Sequence, residues 1–170
     1  LDADRCIACG ACLRACPTGA VQRAGAAGMA QDPARCTACG RCAEVCYAEA
    51  RVVAGRRTTA GEVVAEALRD EAFFRNSGGG VTLGGGEPLA QPRFAAAILR
   101  LCRERGVHTA LETCGQCPWE VLDGVRRWTD LFLFDLKHRD AARLEAETGG
   151  HLSRILENLD RLAPVAAVVV

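Results

Sequence analysis

The sequence predicts an α/β region built from parallel β-α-β units, preceded by a small cysteine-rich unit. Two observations carry this prediction. A four-cysteine pattern occurs twice within residues 1–53, and from residue 58 onward short apolar strands alternate with amphipathic helices. A barrel segment and a doubly wound sheet both satisfy this alternation. We therefore expect one domain at residues 1–53 and a second at residues 54–170.

The cysteine-rich unit contains two copies of the spacing C-x2-C-x2-C-x3-C. The second copy begins thirty residues after the first, and Arg5 and Gly10 recur in it as Arg35 and Gly40. Duplication of one binding unit leaves such a repeat. The first copy supplies Cys6, Cys9, Cys12 and Cys16, and the second supplies Cys36, Cys39, Cys42 and Cys46.

This spacing is that of two-cluster bacterial ferredoxins, in which the fourth cysteine of each run ligates the cluster held by the other run. We therefore predict two [4Fe-4S] clusters in this unit. One is expected on Cys6, Cys9, Cys12 and Cys46, and the other on Cys36, Cys39, Cys42 and Cys16.

Zinc binding and disulfide bonding are the alternative roles for these cysteines. A structural zinc site needs four ligands in tetrahedral closure, and eight cysteines in this spacing exceed that pattern. Disulfide frameworks belong to small secreted domains, whereas we expect an intracellular protein with reduced thiols. Pro17 follows Cys16 as in ferredoxin runs, whereas Tyr47 follows Cys46, a departure that removes no ligand.

Composition excludes several classes of function. Apolar residues make up 49% of the chain, which is ample for a packed core, and 21 basic residues balance 21 acidic ones. No basic stripe indicates a nucleic-acid partner, and no apolar run reaches the roughly eighteen residues of a membrane span. We expect a soluble, cytoplasmic protein. Lys137 is the only lysine, which hints at a site that needs a compact ammonium.

The elements follow from local signals. In the first unit, short strands are expected at Val21 and at residues 51–53, joined by a small-residue connector at 24–30. Thr59 and Glu62 have the spacing of a capping box that begins a helix reaching Phe74.

Beyond this helix, apolar runs bounded by glycine or proline define the β-α-β units. Strands are expected at residues 80–83, 107–112, 131–136 and 165–170, and helices at residues 92–105, 118–125, 141–147 and 153–162. Because the last strand has no following helix and an apolar edge is an aggregation hazard, we expect the sequence to continue at its C-terminus.

Ligands of such folds bind at the carboxyl ends of the strands, so the polar residues after each strand are candidates for a binding site. They are Gly84, Gly85, Gly86, Glu87 and Pro88, then Glu112, Thr113 and Cys114, and then Asp135, Lys137 and His138. Consecutive glycines admit a ligand close to the backbone, and Glu87 can accept a hydrogen bond from an ammonium. The loop lacks the lysine and hydroxyl of a P-loop and the spacing of a dinucleotide fingerprint.

Together these motifs resemble the activating enzymes of glycyl radical enzymes, which belong to the radical S-adenosylmethionine (SAM) superfamily. The resemblance rests on the two ferredoxin-type runs and on the segments 77–88, 112–115 and 135–138, which occur in the family's order. It implies a partial (β/α)6 radical-SAM barrel with a bacterial ferredoxin-like 2[4Fe-4S] insertion domain.

The resemblance also implies an activity. A further [4Fe-4S] cluster binds SAM and cleaves it reductively, and the resulting 5′-deoxyadenosyl radical takes a hydrogen atom from a glycine of a partner enzyme. The implied partners are that glycyl radical enzyme and an external low-potential donor such as flavodoxin or ferredoxin. Segment 84–88 matches a motif that contacts the methionyl amino group. Glu112, Asp135 and Lys137 match contacts to the ribose, the carboxylate or a nearby cation, and Thr113 joins the expected cofactor-binding residues; no catalytic side chain is assigned.

The superfamily's C-x3-C-x2-C loop, which holds the SAM-binding cluster, does not occur in residues 1–170. We expect this loop upstream of Leu1, so that the sequence alone is catalytically incomplete. The alternative hypothesis is a ferredoxin-like electron carrier fused to an unrelated α/β domain. Cys102 is expected in the core. The C-x2-C pair Cys114 and Cys117 is expected to be packed or exposed in the ordinary way rather than to form a further metal or redox site, and His108 and His151 receive no role.

Overall fold

The structure, a computed structural model, describes residues 1–25 and 28–170, so Ala26 and Ala27 of the predicted connector lie outside the described residues. The chain divides between Arg57 and Thr58 into two units. This division lies slightly beyond the boundary expected after residue 53, and the domain assignment stays a prediction. Each unit is described by itself below.

The first unit contains two short helices and a two-stranded antiparallel sheet. The elements are α1 (Ala11–Ala15), β1 (Val21–Arg23), β2 (Met29–Gln31) and α2 (Arg41–Glu44). The register pairs Val21 with Gln31 and Arg23 with Met29. The prediction of a strand at residues 51–53 is wrong. The backbone N–H of Asp2 donates to the carbonyl of Ala50, one residue before this segment, but the pairing does not continue into a ladder.

The second unit begins with two helices rather than the single predicted one. They are α3 (Ala60–Ala67) and α4 (Glu71–Ser77), separated by a short 3-10 turn at Leu68–Asp70. The predicted capping box is confirmed, since the Thr59 side chain accepts from the backbone of Glu62 while the Glu62 carboxylate accepts from the backbone of Thr59. These two bonds satisfy donors at the start of α3 that have no partner within the helix.

The four predicted strands of the second unit are present and form one parallel sheet. They are β3 (Gly80–Leu83), β4 (His108–Thr113), β5 (Leu131–Phe134) and β6 (Val168–Val169), hydrogen-bonded in that order. Helix α5 (Pro92–Glu104) connects the first pair, and α6 (Trp119–Arg126) connects the second. Helices α7 (Ala141–Thr148) and α8 (Leu152–Leu162) connect β5 to β6. A doubly wound sheet reverses its strand order, whereas this sheet follows chain order throughout, as a segment of a β/α barrel does.

The main core lies between the helices and one face of this sheet. Leu111 of β4 and Phe132 of β5 are fully buried there, together with Leu99 of α5 and Leu122 of α6. Because side chains alternate along a strand, Glu112 projects from the opposite face, and it is exposed. The helix-covered face therefore stabilises the unit, while the other face and the strand ends remain available for a site.

Within residues 1–25 and 28–170, no helix has the length and apolarity to cross a bilayer.

Candidate functional site

The eight cysteines of the first unit line two separate cavities. We call one the Cys6 cavity, because its wall includes Cys6, Cys9, Cys12 and Cys46, and it has a volume of about 20 Å³. The other is the Cys36 cavity, with Cys16, Cys36, Cys39 and Cys42 in its wall and a volume of about 220 Å³. The four cysteines of each cavity are the four that the crossed scheme assigns to one cluster. Ligation itself stays a prediction.

The four thiols of each set are distributed around the wall of a cavity. Within residues 1–25 and 28–170, no three Cys, His, Asp or Glu side chains converge on a point where one metal ion could bind. Each set of four cysteines instead surrounds a volume, as a [4Fe-4S] cluster requires, because each of its irons takes a separate thiolate. The smaller Cys6 cavity has to widen to admit a cluster.

Backbone conformation shapes the two cysteine loops alike. Ala8 and Ala38 occupy equivalent positions of the repeat and both adopt left-handed conformations, with φ of 54° and 52°. Gly10 and Gly40 precede the two short helices with φ of 75° and 81°. A left-handed backbone conformation costs energy at any residue other than glycine, and it is retained where the surrounding loop requires it. The same sharp loop is therefore built twice.

Two thiols of the Cys36 cavity, those of Cys16 and Cys36, have polar partners. Gln31 Nε2 donates to Cys36 Sγ at 3.2 Å, and the backbone N–H of Ala38 donates to the same sulfur at 3.4 Å. The hydroxyl of Thr18 lies 3.6 Å from Cys16 Sγ, and this contact, with backbone N–H groups, lowers the pKa of Cys16 to about 7. A low pKa favours the thiolate, which is the form that binds metal. Tyr47 is 96% exposed.

A third cavity, of about 240 Å³, lies at the carboxyl ends of β3, β4 and β5; we call it the strand-end cavity. Residues from all three post-strand loops meet in its wall. They are Gly85, Gly86, Glu87, Glu112, Thr113, Cys114, Asp135 and Lys137. Parallel pairing produces this convergence, because Leu83 is level with Leu111 and Thr113 is level with Phe134.

Gly84, Pro88 and His138 do not line this cavity, but Gly84 makes room for Glu112. A Cβ atom on Gly84 would lie 2.6 Å from Glu112 Oε2, closer than real Cβ contacts come. The absence of a side chain at this position therefore allows the carboxylate of Glu112 to lie beside the glycine loop.

The Glu87 carboxylate joins the loops after β3 and β4. Its Oε1 accepts from the backbone N–H of Leu89 and from the hydroxyl of Thr113, both at 2.9 Å, and its Oε2 accepts from the backbone N–H of Cys114 at 2.9 Å. A carboxylate has about four acceptor positions, so most of its capacity is used within the protein. Glu87 thus positions the loops, and the backbone of Gly85 and Gly86 remains in the cavity wall.

The loop after β5 places an ion pair in the same cavity. Lys137 Nζ pairs with the Asp135 carboxylate, and both side chains are partly exposed. The hydrogen bond and the charge of Asp135 raise the pKa of Lys137 above its ordinary value of 10.5. The ammonium is therefore the form present at neutral and moderately alkaline pH.

A buried amide that the sequence analysis missed holds the loop after β4. Asn158 of α8 is 3% exposed, and its Nδ2 donates to the carbonyls of Gly115 and Cys117, both at 2.8 Å. The signal was available, because Asn158 interrupts the apolar stripe of α8 between Ile155 and Leu162. Gly115 has φ of 68°, and a Cβ atom there would overlap the ring of Phe134.

The remaining cysteines show no sign of activation. Cys102 is fully buried in α5, which confirms its expected place in the core. Burial raises the pKa of Cys114, which lies in the wall of the strand-end cavity, and raises that of Cys117 to about 11. Reactive cysteines have lowered rather than raised pKa values. Cys114 and Cys117 are therefore thiols at neutral pH.

The chain is similar to known protein families over most of its length. Residues 33–165 match the family model described as Radical SAM superfamily, and residues 5–50 match the model described as 4Fe-4S dicluster domain. The superfamily match covers most of the second unit, so the hypothesis that this unit is an unrelated α/β domain is wrong.

Several curated relatives are activating enzymes by name. The choline trimethylamine-lyase activating enzyme of Oleidesulfovibrio alaskensis is 43% identical, over 91% of this chain and 50% of the relative. The (2S)-3-sulfopropanediol sulfolyase activating enzyme of Bilophila wadsworthia is 44% identical over 89% and 50%. The benzylsuccinate synthase activating enzyme of Thauera aromatica is 42% identical over 98% and 52%. The chain spans about half the length of these relatives.

The crossed ligation scheme predicts how combined cysteine substitutions change the iron content. Replacing Cys6, Cys9 and Cys12 by serine should leave about four iron atoms per chain, in the Cys36 cavity. Adding Cys46→Ser to this variant should leave that iron in place, whereas adding Cys16→Ser should remove it, because Cys16 is the fourth ligand there.

Iron and sulfide analysis of anaerobically reconstituted protein measures the difference between these two matched variants. Retention of iron with Cys16→Ser and loss with Cys46→Ser would show that each run binds its own cluster.

Proposed function

This chain belongs to the radical SAM superfamily, and from that membership we propose that it is part of an activating enzyme of a glycyl radical enzyme. The observation that carries the proposal is the strand-end cavity, in which three separate loops supply groups of complementary chemistry. The names of the relatives point to the same reaction class.

The groups in the cavity suit the parts of S-adenosylmethionine. The exposed backbone of Gly85 and Gly86 offers carbonyl acceptors to the amino group of the methionyl part, since glycines leave room for close approach. The ammonium of Lys137 suits its carboxylate, and the carboxylates of Glu112 and Asp135 suit ribose hydroxyls. Glu87 holds the glycine loop and the Thr113 loop at a fixed separation.

The cavity is also acidic, which suits a cationic ligand. Glu87, Glu112 and Asp135 contribute three carboxylates, while Lys137 is the one basic residue in the wall. The cosubstrate brings a sulfonium and an ammonium, so a surplus of negative charge favours its binding at low ionic strength.

The two cysteine cavities supply the redox part of the proposal. Bound clusters provide one-electron transfer at low potential. We assign to the first unit the transfer of electrons from an external low-potential donor, such as flavodoxin or ferredoxin, toward a further SAM-binding [4Fe-4S] cluster. The protein substrate is a glycyl radical enzyme. The 5′-deoxyadenosyl radical released from the cosubstrate takes a hydrogen atom from its glycine, and a cytoplasmic location follows from that partnership.

The direct test uses the complete gene product that contains this sequence, reconstituted with iron and sulfide without oxygen. After reduction in the presence of S-adenosylmethionine, we expect 5′-deoxyadenosine in the solution and a glycyl-radical EPR signal in the partner enzyme. Methionine and 5′-deoxyadenosine are quantified by chromatography. Bound clusters with no cleavage of the cosubstrate would contradict the proposal.

The proposed role of Lys137 predicts a selective loss of affinity. Lys137→Met should raise the dissociation constant for S-adenosylmethionine about tenfold or more, the scale of a hydrogen bond between charged groups. Arg139→Met is the matched control, because it removes an exposed cation two residues away that does not line the cavity. Equilibrium dialysis measures both variants.

The pH dependence follows from the pKa of Lys137. Because Asp135 raises that pKa, the ammonium persists as the pH rises from 7 to 9, and its contribution to binding should stay constant over this range. The contribution is lost only as the pH rises through the raised pKa.

Equal affinities of the Lys137→Met and Arg139→Met variants would show that the ammonium does not contact the cosubstrate.

A further inference from the structure

The thirty-residue repeat places equivalent residues around the two cysteine cavities, and four pairs of them differ in polarity. Arg51 in the wall of the Cys6 cavity is equivalent to Val21 in the wall of the Cys36 cavity. Gln31 of the Cys36 cavity is equivalent to Leu1 of the Cys6 cavity. In the other two pairs, Thr18 and Thr37 of the Cys36 cavity are equivalent to Ala48 and Ile7 of the Cys6 cavity.

Arg51 is a buried cation without a carboxylate partner. It is 5% exposed, and among the described residues no Asp or Glu forms an ion pair with it. Its two terminal nitrogens donate to Gln31 Oε1 at 2.9 Å and to the carbonyl of Ala30 at 3.3 Å. Its Nε is buried and has no hydrogen-bond partner within residues 1–25 and 28–170.

A buried charge of this kind is costly unless an opposite charge compensates it. The four thiols of the Cys6 cavity become thiolates on binding iron, and they share the cavity wall with Arg51. An anionic cluster in this cavity would supply an acceptor for the Nε–H of Arg51 and a negative charge to compensate its guanidinium.

Gln31 extends the contact to the other cavity. Its Oε1 accepts from Arg51 Nη1 while its Nε2 donates to Cys36 Sγ at 3.2 Å. Because arginine is only a donor, Arg51 fixes the amide with its oxygen toward the guanidinium and its N–H groups toward the sulfur. A continuous hydrogen-bonded chain thus runs from Arg51 in one cavity wall to a cysteine of the other.

We propose that Arg51 and Gln31 form a polar bridge that raises the reduction potentials of both clusters, Arg51 acting on the cluster in the Cys6 cavity and Gln31 on the one in the Cys36 cavity. Reduction adds one electron, and hence one negative charge, to each [4Fe-4S]²⁺ cluster. A nearby cation and N–H···S hydrogen bonds stabilise that added charge. The proposal requires bound clusters and is independent of which partner enzyme is activated.

The test measures potentials by an EPR-monitored titration with dithionite, which supplies the electrons. Each of the two clusters of the first unit is studied without the other, in backgrounds that carry serine at the four cysteines of the other cavity. In Arg51→Met, which keeps the apolar stem, the ratio of reduced to oxidised cluster in the Cys6 cavity at fixed potential should fall at least tenfold, about 59 mV for a one-electron couple. Gln31→Leu should lower the potential of the cluster in the Cys36 cavity and leave the other unchanged.

Two further variants separate charge from structure. Arg51→Lys keeps the charge without the guanidinium fork and should restore part of the loss. Arg41→Met removes an exposed cation of the same unit. In this variant the ratio of reduced to oxidised cluster in the Cys6 cavity should change less than about twofold, because solvent screens the charge.

The outcomes are distinguishable. Assembled clusters with unchanged potentials in Arg51→Met and Gln31→Leu would overturn the proposal. If Arg51→Met fails to assemble its cluster, Gln31→Leu decides, and an unchanged potential of the cluster in the Cys36 cavity would overturn the proposal equally. Absence of iron and sulfide from the parent protein would instead refute the assignment of clusters to the two cavities.

Discussion

The hydrogen bonds accepted by the Glu87 carboxylate are the interaction on which the strand-end cavity depends. Parallel pairing brings the ends of β3 and β4 level, but pairing alone leaves the loops beyond Leu83 and Thr113 free to separate. Glu87 accepts hydrogen bonds from both Thr113 and Cys114 in the loop after β4. It also accepts one from the backbone N–H of Leu89 in its own loop, after β3. Hydrogen bonds to a charged group contribute about 1.5–3 kcal/mol each, enough to fix this separation.

In the cysteine-rich unit, the corresponding constraint is the short helix inside each run. Cys12 lies in α1 and Cys16 caps its C-terminus, so a helical turn separates the fourth cysteine from the other three. The sulfur of Cys16 accordingly lies in the wall of the Cys36 cavity, not in that of its own run. The same relation holds for Cys46 and the Cys6 cavity.

Much of this architecture was predictable because its signals are local. Apolar runs located the strands, the spacing of Thr59 and Glu62 located a helix start, and the post-strand loops supplied the residues that meet in the strand-end cavity. The errors arose where contacts between distant residues decide the outcome. Residues 51–53 form no strand, and Arg51 contacts β2 through its side chain instead. The hydrogen bond from Asn158 to the carbonyl of Gly115 and the bond from Cys114 to Glu87 likewise join residues far apart in sequence.

The most direct test of the account is the affinity for S-adenosylmethionine after Glu87→Ala, measured by equilibrium dialysis on the cluster-loaded complete gene product. Loss of the carboxylate leaves Thr113 and Cys114 without their acceptor, so we expect affinity to fall about tenfold or more while circular dichroism and iron content stay unchanged. Glu120→Ala, an exposed position in α6, is the matched control. Undiminished binding by Glu87→Ala would contradict the assignment of this cavity to the cosubstrate.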